Sequence, residues 1–261
     1  MPIDLLIEDA VAEIVLNEPG KLNALDETGI ADLSAAFAEA RRANVRAVLL
    51  RGEGRAFCAG RDISHVDPAT DDAFGYLAEI VTPLLHSIDD FPAPTFAVAT
   101  GACLGVGLGL LIATDVVYVA DTAKVGSPFA NLGATLDSGG HAMFFERLGA
   151  HRTLDLIYTA ELLTGTEAVA LGLFSRVVAE AEVLEFARER AQRASRGATE
   201  AFLASKRLVH RLRDDRIGLW TSIDEENIAQ GELCASDDYR EGFAAFQEKR
   251  KPVFGAGLAR G

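Results

Sequence analysis

The chain has 261 residues, 49% of them hydrophobic, enough for one large domain or a domain with an appended module. Its 39 acidic and 25 basic side chains leave a formal charge of −14, which argues against broad nucleic-acid or anionic-membrane binding because both need a basic face. Cys58, Cys103 and Cys234 lie too far apart for a metal motif, and MPIDLLIEDA is acidic where a leader would be basic. Both features point to a reduced, cytoplasmic protein without a signal peptide. The longest apolar run, ACLGVGLGLLIAT, is too short and glycine-rich for a membrane span.

In chain order, IDLLIED and AVAEIVLNEP read as two short strands joined by a turn near Glu8-Asp9. NALDETGIADLSAAFAEARRA has helical periodicity with Asp26 as N-cap. VRAVLLRG is a covered strand, followed by the loop GEGRAFCAGRDISHV; 71–89 is helical, and APTFAVAT is again a strand. ACLGVGLGLLIAT has the length of a buried helix, and DVVYVAD is the next strand. From about Glu180 the pattern turns to nearly continuous helix, over 181–195, 198–213, 217–232 and 237–248. Alternating strands and helices predict an α/β domain. The linker-free helical tail must pack on its own core or on a neighbouring subunit.

AFCAGRD and ACLGVGLGLL each follow a predicted strand, where glycine lets backbone approach a ligand and exposes amide N–H groups. Neither is a phosphate loop, and GVGLGL holds no complete dinucleotide fingerprint, so tight helix–sheet packing explains these glycines equally well. Asp137 is the only formally charged side chain between Lys124 and Glu146. Before Gly-Gly and an apolar stretch it reads either as a helix cap or as a reacting carboxylate in an apolar pocket.

LNEPGKLNALD, GRAFCAGRDIS, TGACLGVGLGL, GSPFANLGATLDSGG and TGTEAVALGLFSRVV, with a closing SDDYREGFAAFQEKRKPVF, occur in the order and spacing of the crotonase (enoyl-CoA hydratase/isomerase) superfamily. The resemblance covers essentially the whole chain. It implies an α/β fold, a ββα superhelix over 1–195, with a C-terminal helical region, 196–261, that builds homotrimers or hexamers. It also implies an acyl-CoA substrate and no metal or separate cofactor. The backbone amides of Arg61 and Val106 correspond to the donors that hold the thioester oxygen as an oxyanion. Val106 stands where glycine is more usual. Ala59, Gly60, Asp62 and Ile63 correspond to the CoA-binding loop, and Phe246 and Lys249 to its C-terminal contacts.

The resemblance also marks a departure. The two glutamates of family hydratases fall on Gly109 and Phe129, neither of which can move a proton. Asp137 matches instead an acid used by dienoyl-CoA isomerases and by isomerases of ring-modified phenylacetyl-CoA. One carboxylate within reach of two carbons can shift a double bond. Phe129, Leu132 and Leu136 are the expected acyl-pocket walls, with Glu79 or His86 as assisting groups and His65 and His141 as weaker candidates. Three alternatives stand beside isomerisation. One is hydration by Asp137 with Ser127 or Asn131, one is aryl-CoA dehalogenation with Asp137 as nucleophile and a histidine base, and one is a non-catalytic CoA-binding paralogue.

Overall fold

The computed structural model describes residues 2–255; Met1 and 256–261, the ends of the two expected regions, lie outside the described residues. Strands β1 (Ile3–Glu8) and β2 (Val11–Leu16) form an antiparallel hairpin whose turn is Asp9-Ala10, one residue later than expected. Both turn residues have positive φ, 48° and 63°, as a two-residue hairpin loop requires. Helix α1 (Glu27–Arg42) starts at Asp26, whose carboxylate accepts from Gly29 N–H at 2.7 Å. Its Ile30, Leu33, Phe37 and Ala40 repeat at helical spacing and are buried against the sheet.

After β3 (Ala47–Gly52) and a long loop come a short α2 (Ala73–Gly75), a π-helical turn (Tyr76–Val81) and α3 (Thr82–Asp89). The π turn has a local cause. Pro83 has no N–H for the Glu79 carbonyl, and Thr82 N–H bonds Leu77 O, five residues back. β4 (Thr95–Ala99) leads to β5 (Ala102–Leu104), α4 (Val106–Ile112), β6 (Val116–Ala120) and β7 (Lys124–Gly126). A single helix was expected over 102–114; instead its first residues pair as a strand and Gly105 separates them from the helix.

A 3-10 turn (Phe129–Leu132) precedes α5 (Gly140–Thr159), which breaks at Gly149, the one non-helical residue within it. Then follow β8 (Leu163–Thr164), α6 (Gly165–Ala170), β9 (Arg176–Val178), α7 (Val183–Ser195), α8 (Thr199–Asp214), α9 (Leu219–Leu233) and α10 (Asp237–Gln247). The larger sheet has the order β1-β2-β3-β4-β6-β9 and is parallel beyond the first hairpin; β5-β7-β8 form a second sheet. α1 packs on β1 and β2 and α7 on β2, β3, β4 and β6; β4 is buried at every residue and apolar but for Thr95, whose Oγ1 accepts from Asp115 N–H at 2.9 Å. No helix among the described residues is long and apolar enough to cross a membrane.

Candidate active site

The loops that leave β3 and β4 meet at Cys58 and Cys103, an isolated parallel bridge between the two segments. Cys58 N–H donates to Ala102 O and Leu104 N–H to Cys58 O, both at 3.0 Å. Beyond this splice each loop reaches a glycine of positive φ, Gly60 (102°) and Gly105 (53°). The two face each other so closely that a Cβ on either would lie 3.7 or 3.8 Å from the other's Cα. Among the described residues, the amides that follow them, of Arg61 and Val106, have no hydrogen-bond acceptor.

Val106 is the first residue of α4, so its N–H is one of the orphans every helix start leaves. The unusual backbone sits on Gly105, and Val106 itself is unstrained, which is why valine is tolerated where glycine is more usual. Gly105 N–H is occupied by Gly126 O at 3.3 Å and Ser127 Oγ at 3.2 Å. Ser127 is thereby committed to the loop. Two free amides on adjoining turns make a preorganised site for a developing oxyanion.

Asp137 lies just before α5 but does not cap it. The N-cap is Gly139, with no side-chain bond, and only the Asp137 carbonyl is used, by Gly140 N–H at 2.9 Å. Asp137 Oδ1 and Ser138 Oγ are buried without a partner among the described residues. Burial pushes the Asp137 carboxyl above its ordinary value. The Ser138 hydroxyl beside it opposes that shift only weakly, because no well-formed hydrogen bond joins the two.

The Asp137-Ser138 turn sits on α4. A Cβ on Gly109 would lie 2.3 Å from Ser138 Cβ, so no side chain fits there unless the turn moves. At the other departure from the hydratase pattern, the Phe129 ring comes within 2.9 Å of where a Gly105 Cβ would stand, beside the free amides. Leu136 is buried and packs under Gly140. Leu132, expected as a pocket wall, is instead 63% exposed, because it ends the 3-10 turn and Gly133 turns the chain away with φ 69°.

None of the expected helpers of Asp137 is buried with it. Glu79, His86, His65 and His141 are exposed, and His141 is met only by Thr135 Oγ1 at 3.3 Å. With Val81, Leu84 and Ile88, that helical segment turns Tyr76 inward, 4% exposed and the polar member of the set, which the sequence reading missed. Burial raises its phenol pKa while the Arg61 guanidinium, 4.1 Å from the ring centroid, opposes the rise, so Tyr76 packs against the side chain of the residue that carries one free amide. Pro83 is the signal that a regular 3.6-residue repeat breaks here, but nothing in the sequence marks which side chain then turns inward. The Cys58 thiol is pushed up to about 12 by burial, and Cys103 is also raised by burial, so neither is an activated nucleophile.

Of the residues expected to line CoA, Ala59 N–H bonds Leu22 O at 3.0 Å and Ile63 is half exposed. Asp62 has a structural task. It accepts from Ser64 N–H (3.0 Å), Ser64 Oγ (2.6 Å) and Lys21 Nζ (2.9 Å), which hold its carboxyl well below the usual range. Phe246 and Lys249 are exposed at the end of α10, and no hydrogen bond or ion pair among the described residues joins them to the 59–63 loop. Asp89, Asp90 and His210 cluster near α8, but Arg213 grips Asp89 through two 2.9 Å bonds, leaving no free ligand set.

The enoyl-CoA hydratase/isomerase family profile matches residues 6–257. A protein named probable enoyl-CoA hydratase from Rhodobacter capsulatus is 34% identical over 248 residues, 95% of each chain. A solved enoyl-CoA hydratase from Geobacillus kaustophilus superposes with a TM-score of 0.87 at 32% identity, covering 97% of this chain and 98% of that one. One from Bacillus anthracis gives 0.88 at 26% identity, covering 97% and 99%.

Proposed function

Because the chain belongs to the enoyl-CoA hydratase/isomerase family, we propose that it shifts a carbon–carbon double bond within an acyl-CoA, using Asp137 as its one proton carrier. The observation that carries this reading is the idle carboxylate: Asp137 is half buried, caps nothing, and leaves Oδ1 without a partner. In the proposed reaction the thioester oxygen lies between the Arg61 and Val106 amides. Asp137 removes a proton from one carbon, the amides stabilise the dienolate, and the same carboxyl returns the proton to another carbon. Its raised pKa makes it a stronger base than an exposed aspartate.

Phe129 and Leu136 would flank the acyl group, and CoA would run along the backbone of Ala59, Gly60, Asp62 and Ile63. Phe246 and Lys249 would complete the CoA site from the exposed end of α10, within a homotrimer or a hexamer of paired trimers. The reading places the enzyme in the cytoplasm, with no cofactor beyond the thioester and no nucleic-acid partner.

Hydration is the second reading, favoured by the relatives named as hydratases. It needs a second group to carry water. Gly109 and Phe129 offer none, Ser127 is held by Gly105, and Asn131 is exposed. Dehalogenation needs a histidine base, yet four histidines are exposed and His210 faces Asp89 at 3.5 Å.

Turnover of enoyl-, dienoyl- and aryl-CoAs in isotopically heavy water separates these readings. Solvent hydrogen entering the carbon skeleton without solvent oxygen supports isomerisation, and oxygen in a stable product supports hydration. On the substrate so found, Asp137→Asn should lower kcat by about two to four orders of magnitude and leave CoA binding unchanged. Near-normal kcat would remove Asp137 as the base.

A further inference from the structure

Arg61 is tied down at both ends. Its backbone pairs with Leu25, where Leu25 N–H bonds Gly60 O at 2.8 Å and Asp62 N–H bonds Leu25 O at 2.9 Å. Its guanidinium forks onto Asp71 through two bonds of 2.9 and 2.7 Å. The same group lies over the Tyr76 ring, 4.1 Å from its centroid, a stacking that adds cation–π attraction to the ion pair. Tyr76 closes the circuit, because its hydroxyl reaches Leu25 O at 3.4 Å.

Asp71 ends a stretch that has little else to hold it. Residues 67–74 are all exposed, and their other hydrogen bonds are local: Thr70 N–H to Asp67 O, Ala69 N–H to the Asp67 carboxylate, and Asp72 accepting from Gly75 N–H on its carboxylate and from Tyr76 N–H on its carbonyl. Among the described residues, the Arg61–Asp71 fork is the polar tie between this stretch and the body. Adjacent acids thus divide the work, Asp72 starting the helix and Asp71 fastening it.

We propose that the Arg61 side chain is a latch: gripped by Asp71 and stacked on Tyr76, it fastens the stretch 67–76 to the oxyanion turn and, through its own backbone, sets the oxyanion amide. Arg61's guanidinium and Asp71 are then positioning groups, and Tyr76 is the buried ring they are anchored on. The inference rests on the Arg61 amide being an oxyanion donor. It makes catalytic geometry depend on a side chain of the donor residue, whose backbone alone would otherwise matter. The energetic logic is that a small displacement of a preorganised donor costs rate and leaves the binding of the distant CoA body alone.

The test uses the full chain with Arg61→Met, Asp71→Asn and the double variant, all of which keep the residue-61 amide. Hydrogen exchange is read at residues 67–81 and at the Asp62 amide; kcat and KM are read on the substrate of the wild-type enzyme. Each single variant should speed exchange at both places and lower kcat about tenfold with KM nearly unchanged. The double variant should be no worse than the weaker single, the signature of one shared interaction. Asp71→Glu, which keeps the charge, should recover part of kcat. Unchanged exchange at either place, or faster exchange with kcat within about twofold of wild type, would overturn the latch. Should the wild-type enzyme turn over no acyl-CoA, the proposed reaction fails, and exchange at Asp62 still decides whether the latch sets the turn.

Discussion

In the β-rich spiral, α1 turns Ile30, Leu33, Phe37 and Ala40 inward and α7 buries Val183, Ala187 and Ala191, whereas α8, α9 and α10 bury Ala204, Ser222 and Ala245. What fastens α8 to the body is polar: Lys206 pairs with Asp115 at 3.0 Å and donates to Phe91 O at 3.3 Å, and Arg213 forks onto Asp89. Meanwhile Trp220 (76%), Ile228, Phe243 and Phe246 stand exposed. The spiral is held by burial of its own apolar faces. The tail is oriented by ion pairs and leaves its apolar faces bare, the faces on which the proposed trimer would be built.

The largest test of that contrast targets the bare faces. Trp220→Lys with Ile228→Lys should convert the proposed trimer or hexamer into a monomer in sedimentation, because each lysine buried in that interface would lack a partner. Far-UV circular dichroism should hardly change, since neither side chain supports the fold of its own chain. An unchanged mass would show that copies associate elsewhere, if at all.

The contrast also explains what the sequence displays and what it hides. α1 is legible because one face is buried, so the apolar spacing and the Asp26 cap agree with the structure. The four C-terminal helices are legible from continuous helical periodicity, although three of them bury little within the chain. β5 was hidden inside an apolar run whose three strand residues have no period of their own, and only Gly105 divides it from α4. β7, β8 and β9, of two or three residues each, are too short to carry alternation. At the site, the glycine pair and Asp137 were visible as residue types. Which carboxylate capped and which stood idle was not, because Gly139 takes the cap position that Asp137 also suits by type. Tyr76 was hidden by the π turn, which offsets the helical register that sequence reading relies on.

A methyl group placed in each region should then have opposite effects. At Gly109, in the spiral, a Cβ would lie 2.3 Å from Ser138 Cβ, and Gly109→Ala should destabilise by about 1–3 kcal/mol in urea unfolding. It should also lower turnover, because the displaced residue adjoins Asp137. Adding Ser138→Gly removes the clash, and its positive φ of 51° suits glycine, so stability should return. At Gly231, inside α9, a Cβ meets nothing within 4 Å, and Gly231→Ala should stabilise by up to about 1 kcal/mol through helix propensity. Equal effects at the two glycines would break the contrast.

The smallest effect is the most diagnostic for the site, because its sign separates an idle carboxylate from a cap. Burial raises the Asp137 pKa in the folded chain, while the unfolded carboxyl titrates near ~3.9. Between those two values the folded state holds the extra proton, so stability falls as pH rises through that window, and the deficit is complete above the folded pKa. Asparagine carries no such deficit. Asp137→Asn should therefore melt higher than wild type at pH 7, by about 2 °C because partial exposure keeps the penalty small, and the gap should close below pH ~3.9. A capping carboxylate would give the reverse: its folded pKa would be depressed, its contribution would be present above the unfolded pKa and lost as pH falls, and Asn would melt lower at pH 7. Asp62 supplies that opposite case within the same chain. The Ser64 and Lys21 bonds lower its pKa, so Asp62→Asn should melt below wild type at pH 7 and converge with it in acid. Two aspartates moving in opposite directions across one pH series would mark Asp137 as the carboxyl kept at a cost to the fold; both moving downward would return it to the role of a cap.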